Sequence, residues 1–165
     1  MNMQELATKY HTGQKRKGKA GLPYIVHPEM VVKLLEEWGV PKTHPLLDIA
    51  WGHDLLEDTS ITEQKILAVS SEEILENIKL LTCKKNKTEY MSDLANSGSL
   101  NAILVKAADR LCNTKDFIEL KGKVCAGNYL KEADCIKAAL LTQQDCPYVR
   151  NALIAWTELE KTLEH

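Results

Sequence analysis

The 165-residue sequence has no apolar run approaching the roughly 18 residues of a membrane-spanning helix, so an integral membrane protein is not expected. It has no basic excess either: 21 Lys and Arg against 23 Asp and Glu leave a formal net charge of −2. A broad nucleic-acid or anionic-membrane surface needs positive charge in surplus, so neither partner is expected. Nothing near Met1 reads as a secretory signal. The five cysteines are odd in number and contain no Cys-x-x-Cys pair, which argues against disulfides, a zinc knuckle or a dithiol redox site. A reducing, cytoplasmic setting is the expectation. Alternation of the kind a strand needs is also missing, and so are internal repeats.

What is there is an ordinary globular composition, 44% hydrophobic and 27% charged. One domain over residues 1–162 is expected, and Leu163-Glu164-His165 reads as the remnant of an expression tag. The apolar periodicity is helical nearly throughout, so the fold class is a compact all-α bundle. A short first helix carries Leu6, Ala7 and Tyr10, and a basic, glycine-containing loop runs from Gln14 to about Ile25. A second helix begins at Pro28 and ends at Gly39. The third starts near Pro45 and continues through His53-Asp54 to Asp58. Ser60 with Glu63 fits a capping box, and Ser71 opens a helix to Leu81. Residues 83 to 88 read as a lysine-rich loop, and further helices are expected at 88–96, 100–118, 128–142 and 147–162.

Chemistry concentrates in Trp51-Gly52-His53-Asp54-Leu55-Leu56-Glu57-Asp58-Thr59. In a continuous helix the i, i+4 spacing sets His53 under Glu57 and Asp54 under Asp58. Burying carboxylates beside an imidazole is costly unless they are paired or hold a cation. Two further segments supply matching groups: His27, at the start of a helix, and Asp109, in an otherwise apolar helix with Lys106 and Asn113 on its face. Two His and two Asp make a mixed nitrogen and oxygen site that suits Mn, Fe, Ni or Zn better than Ca or Mg.

The order His27, His53-Asp54, Asp109 resembles the signature of the HD-domain metal-dependent phosphohydrolases. The surrounding words are more specific: His11-Thr12-Gly13-Gln14-Lys15-Arg16-Lys17, Gly21-Leu22-Pro23-Tyr24-Ile25-Val26-His27-Pro28 and Ala108-Asp109-Arg110-Leu111-Cys112-Asn113 are similar to the hydrolase domain of RelA/SpoT proteins. The resemblance spans about residues 4 to 118, and the small size is that of the stand-alone hydrolases. It implies an HD-domain bundle that removes the 3′-pyrophosphate of ppGpp or pppGpp, usually with Mn²⁺. It implies His27, His53, Asp54 and Asp109 as metal ligands, Glu57 and Asp58 as the catalytic acidic pair, and Arg16, Lys17 and Asn113 as nucleotide contacts. Lys106 joins the contacts from its helical phase. The small-molecule nucleotide is the one partner implied.

Three places depart from that pattern. Trp51-Gly52 stands where relatives carry small or aliphatic residues, which is expected to reshape the pocket wall. Cys112 stands where His or Tyr is common, and Gly18-Lys19-Ala20-Gly21 resembles the longer loop of stand-alone forms. Lys84, Lys85 and Lys87 read as solvated, Trp38 and Trp156 as core, and the remaining cysteines as small buried apolar residues. His11 and His44 have no evident partner. Two other readings keep the fold: a phosphohydrolase for another nucleotide, such as a 5′-nucleotide, an adenosine alarmone or NADPH, and a non-catalytic nucleotide-binding module.

Overall fold

The computed structural model describes residues 1–18 and 21–165, so Lys19 and Ala20 of the Gly18–Gly21 segment lie outside the described residues. The described residues fold as helices, with one isolated bridge between Lys15 and Pro23. The helices are α1 (Met3–Tyr10), α2 (Val26–Glu37), α3 (Pro45–Gly52), α4 (Leu55–Asp58), α5 (Glu63–Leu67) and α6 (Glu72–Leu80), followed by α7 (Lys87–Ala95), α8 (Leu100–Lys131), α9 (Asp134–Leu141) and α10 (Pro147–Glu164). None is long and apolar enough to cross a membrane.

Helix α8 is the axis of the bundle and packs against α2, α3, α6, α7, α9 and α10. Its first half is apolar on nearly every side, as a central helix must be: Ala102, Leu104, Val105, Ala107, Ala108 and Leu111 are all buried. Asp109 sits within that run, and α8 thereby carries a carboxylate into the core. Trp38 and Trp156 are core residues, as expected.

The local signals are mostly where the sequence placed them. Asn2 and Glu5 form a capping box on α1, Ser71 caps α6, and Pro45 opens α3 with the His44 side chain accepting from the Leu46 N–H. Some expectations need correction. Helix α2 begins two residues before Pro28, which lies inside its first turn, where a missing N–H costs nothing. The cap of α5 is Thr62, whose hydroxyl accepts from the Lys65 N–H, not Ser60. Residues 100–131 form one helical run kinked at Gly122, whose φ of 85° only glycine adopts readily. No cysteine is fully buried, and Cys125 is exposed; none is in a disulfide. Helix α10 runs through Leu163, which packs against the core.

The correction with most consequence concerns the third helix, which ends at Gly52. A Cβ on Gly52 would lie 2.7 Å from Ile78 Cδ1 and 3.1 Å from Met3 Sδ. Glycine there lets α3 press against α6 and α1. Gly52→Ala is expected to cost about 1 kcal/mol, because the ends of the Ile78 and Met3 side chains must shift, read as a lower urea midpoint at constant m. Trp51 faces a separate hollow with Glu29, Lys33 and Asp48. Neither residue reshapes the wall of the acidic pocket described below.

Candidate metal centre and active site

The chain turns at His53-Asp54 before resuming as α4. The His53 ring causes part of that turn. Its Nδ1 lies 2.6 Å from the carbonyl oxygen of Ala50, which a continuous helix would offer to the Asp54 N–H. A carbonyl only accepts, so Nδ1 carries the proton and Nε2 presents its lone pair when the ring is neutral. The turn drives His53 inward, away from Glu57; Glu57 and Asp58 lie at the surface side, and Asp54 joins them to the inner residues. The expected stacking of His53 under Glu57 is therefore replaced by two adjoining groups.

Four atoms converge at the inner end. His27 Nε2 is 2.8 Å from Asp109 Oδ1 and 3.8 Å from Asp54 Oδ2, while His53 Nε2 is 3.1 Å from Asp54 Oδ2 and 3.5 Å from Asp109 Oδ1. These are the edge lengths of a coordination shell with bonds of about 2.1 Å, for which neighbouring ligands stand about 3 Å apart. Among buried side-chain atoms, His53 Nε2 has no hydrogen-bond partner despite its proximity to both carboxylates. The donor set of two imidazoles and two carboxylates suits a divalent transition metal, and the residues present fit one.

The electrostatics agree. Burial pushes the His53 imidazole down, but Asp54 and Asp109 outweigh it and hold its pKa well above the usual value. Burial likewise opposes ionisation of Asp54 and Asp109, yet facing groups hold both below the carboxylate range: His53 acts on Asp54, and the Lys106 charge with hydrogen bonds from the two histidines on Asp109. The two buried carboxylates thus demand positive charge between them, which a divalent ion supplies.

Around this centre the structure brings the remaining expected residues together. Lys106 Nζ lies 3.2 Å from Asp109 Oδ2, and Asn113 Nδ2 donates to Asp109 Oδ1 at 3.1 Å. Arg16 reaches in from the α1–α2 loop and donates to Asn113 Oδ1 and Asp116 Oδ2, each at 2.8 Å. Glu57 accepts from the Cys83 backbone N–H at 2.9 Å. Burial raises the pKa of Glu57 and of Asp58, and the Asp54 charge adds to both shifts. Lys17 stands apart from the four converging His and Asp atoms and lines a neighbouring hollow of ≈ 590 Å³ with Arg16, Phe117 and Leu120. That hollow shares Tyr24, Asp58, Asn113 and Tyr129 with the acidic pocket of ≈ 230 Å³. The joined space has the scale of a nucleotide site.

Sequence reasoning missed several residues. Tyr24 donates its hydroxyl to Asp54 Oδ2 at 2.5 Å and reaches Asp58 Oδ2 at 3.3 Å. Burial and the Asp54 charge raise its pKa far above neutrality, so it remains a donor. Lys87, read as solvated, lines the acidic pocket beside Cys83 and Tyr90. Arg110 is buried with its guanidinium 3.8 Å from the centre of the Tyr129 ring. Tyr24 lies in the same turn as His27 and was within reach of the sequence; Lys87 and Tyr129 had no spacing to reveal them. Cys112 is outside both hollows, and burial pushes its thiol up to about 12. His11 is buried against the Tyr24 ring, and His44 serves as the α3 cap.

No protein-family model matches the chain. A guanosine-3′,5′-bis(diphosphate) 3′-pyrophosphohydrolase of Aquifex aeolicus is 34% identical over 164 residues, covering 92% of this chain and 22% of that protein. The guanosine-3′,5′-bis(diphosphate) 3′-pyrophosphohydrolase MESH1 of Danio rerio is 30% identical over 115 residues, covering 67% of this chain and 64% of that one. The chain thus spans about a fifth of the bacterial relative and just under two thirds of the fish protein. A solved structure of a metazoan orthologue of SpoT that hydrolyses ppGpp superposes with a TM-score of 0.80 at 19% identity, covering 97% of this chain and 92% of that one. At that identity the likeness shows the fold.

Proposed function

We propose that this chain, a homologue of the guanosine-3′,5′-bis(diphosphate) 3′-pyrophosphohydrolases, hydrolyses the 3′-pyrophosphate of ppGpp or pppGpp to give GDP or GTP and pyrophosphate. The observation that carries the reading is the buried His53 Nε2, within 3.1 and 3.5 Å of Asp54 and Asp109, two carboxylates that line a pocket opening beside Glu57 and Asp58. His27, His53, Asp54 and Asp109 would hold the divalent ion; their nitrogen and oxygen atoms suit Mn, Fe, Ni or Zn, and Mn²⁺ is the ion that the family resemblance implies. When bound, such an ion acidifies a coordinated water and polarises a phosphoryl oxygen.

The chain's own residues do the rest. Glu57, fixed by the Cys83 N–H through one oxygen, keeps the other to orient water and take its proton. Its raised pKa brings it nearer to neutrality, where proton transfer is most effective. Asp58 is held by the Tyr24 hydroxyl and shares that task. As water adds to the phosphorus nearest the ribose, the bond to the 3′ oxygen breaks, and that oxygen leaves as the hydroxyl of GDP. Lys106 keeps Asp109 ionised and adds positive charge to the pocket wall. Arg16 and Lys17 meet the nucleotide in the adjoining hollow, and Asn113 stands at the neck between the two spaces. The substrate is a cytoplasmic small molecule, which fits a slightly acidic protein with a local basic cluster at Lys15-Arg16-Lys17.

The products test the reading. Pyrophosphate and GDP from ppGpp support it, whereas orthophosphate from ppGpp or from another nucleotide would assign a phosphatase. Arg16→Ala is expected to raise KM for ppGpp roughly tenfold or more, the worth of a charge-assisted hydrogen bond of about 1.5–3 kcal/mol, as read from initial rates at saturating Mn²⁺.

A further inference from the structure

The metal-ligand atoms do not hold themselves in place. Asp54 is the N-cap of α4, its carbonyl accepting from the Asp58 N–H at 2.9 Å while its side chain makes no cap bond, and Asp58 lies one turn further on. Both carboxylates face the same pocket, and their like charges oppose one another across it. One neutral donor reaches both. The Tyr24 hydroxyl is 2.5 Å from Asp54 Oδ2, the same oxygen that lies 3.1 Å from His53 Nε2 and 3.8 Å from His27 Nε2.

Tyr24 is itself held from three sides. Its backbone N–H donates to the Gln14 carbonyl oxygen at 2.8 Å, and its ring packs against the buried His11 ring, with centroids 4.8 Å apart. The Arg16 guanidinium stands 5.5 Å from the ring centre. Gln14 completes the frame. Its Nε2 donates to the Asp58 carbonyl oxygen at 2.8 Å, so its Oε1 is the acceptor that His11 Nδ1 approaches, also at 2.8 Å. The α1–α2 loop therefore grips α4 through both the backbone of Asp58 and the two side-chain carboxylates.

We infer that Tyr24 is a positioning residue for the metal: its hydroxyl fixes which oxygen of Asp54 faces His27 and His53 and holds Asp58 clear of that centre. The inference rests on the metal reading above. It concerns a residue beyond the four ligands and the acidic pair, and it gives the His11–Gln14 pair a purpose, as the support that keeps the phenol in place. Groups that orient a metal ligand in this way are worth about 10–100-fold in metal affinity. A tyrosine that served only as pocket wall would act on the nucleotide, since Tyr24 lines both hollows, and would leave metal affinity alone.

Tyr24→Phe separates these roles, because it keeps the ring and its packing and removes one oxygen. Mn²⁺ binding is measured from the paramagnetic resonance signal of the free ion, with wild type, Tyr24→Phe and Tyr148→Phe, the last altering a phenol on α10. KM for ppGpp is then measured at saturating Mn²⁺. The expected result is a Kd for Mn²⁺ about 10–100-fold weaker in Tyr24→Phe, with Tyr148→Phe at the wild-type value. Equal Mn²⁺ affinity in Tyr24→Phe and wild type, or a change confined to KM, overturns the inference and leaves the metal reading intact. A wild type that takes up no Mn²⁺ overturns both.

Discussion

His53→Ala and Asp54→Ala are each expected to abolish Mn²⁺ uptake and turnover of ppGpp together. Each removes one of the four atoms that converge at 2.8–3.8 Å, and each does so from the turn that separates α3 from α4. The two variants should differ in stability. His53→Ala takes positive charge from beside Asp54 and Asp109, whose ionised forms the imidazole supports. Leaving buried carboxylates without that partner costs about 3–5 kcal/mol, so this variant should melt well below wild type in EDTA. Asp54→Ala instead lowers the negative charge around Asp109 and should melt closer to wild type. Calorimetry beside the activity assay checks that each loss of turnover belongs to folded protein. Full activity in a folded Asp54→Ala protein would mean that the metal lies elsewhere.

Glu57→Ala is the second large effect, and it should divide what the first variants lose together. Glu57 touches none of the four converging atoms; its bond is to the Cys83 backbone N–H. Mn²⁺ affinity should therefore stay near that of wild type, while kcat falls by about 10²–10⁴, the usual worth of a positioned general acid or base. Binding and rate measured on the same preparation decide the matter. A kcat equal to that of wild type would remove the proton-transfer role, and a parallel loss of Mn²⁺ would make Glu57 a ligand instead.

The cluster of His27, His53, Asp54 and Asp109 was legible because its residue types are costly to bury without a purpose. Asp109 interrupts an apolar helix, and His53-Asp54 closes another. Their meeting with His27 could not be derived from spacing, since it depends on α2, α3 and α8 packing against one another. The break after Gly52 was hidden for a different reason. Helical phase assumes an unbroken ladder, and the ladder ends here because a side chain, His53, takes the Ala50 carbonyl. Gly52 looked like part of the pocket wall and proved to be the close contact of α3 with Ile78 and Met3. Tyr24, Lys87 and Tyr129 were missed because they reach the site from a loop, from the first residue of α7 and from beyond the kink of α8. The kink itself was read as a gap between two helices, which is how a glycine with positive φ looks from sequence alone.

The most direct measurement is incubation of the purified chain with ppGpp, in Mn²⁺ and in EDTA, with the nucleotides resolved by ion exchange. GDP and pyrophosphate in equal amounts, formed with Mn²⁺ and not with EDTA, are the expected result. Intact ppGpp in both samples, from folded protein that binds Mn²⁺, would contradict the account and leave an HD-type metal site in need of another substrate.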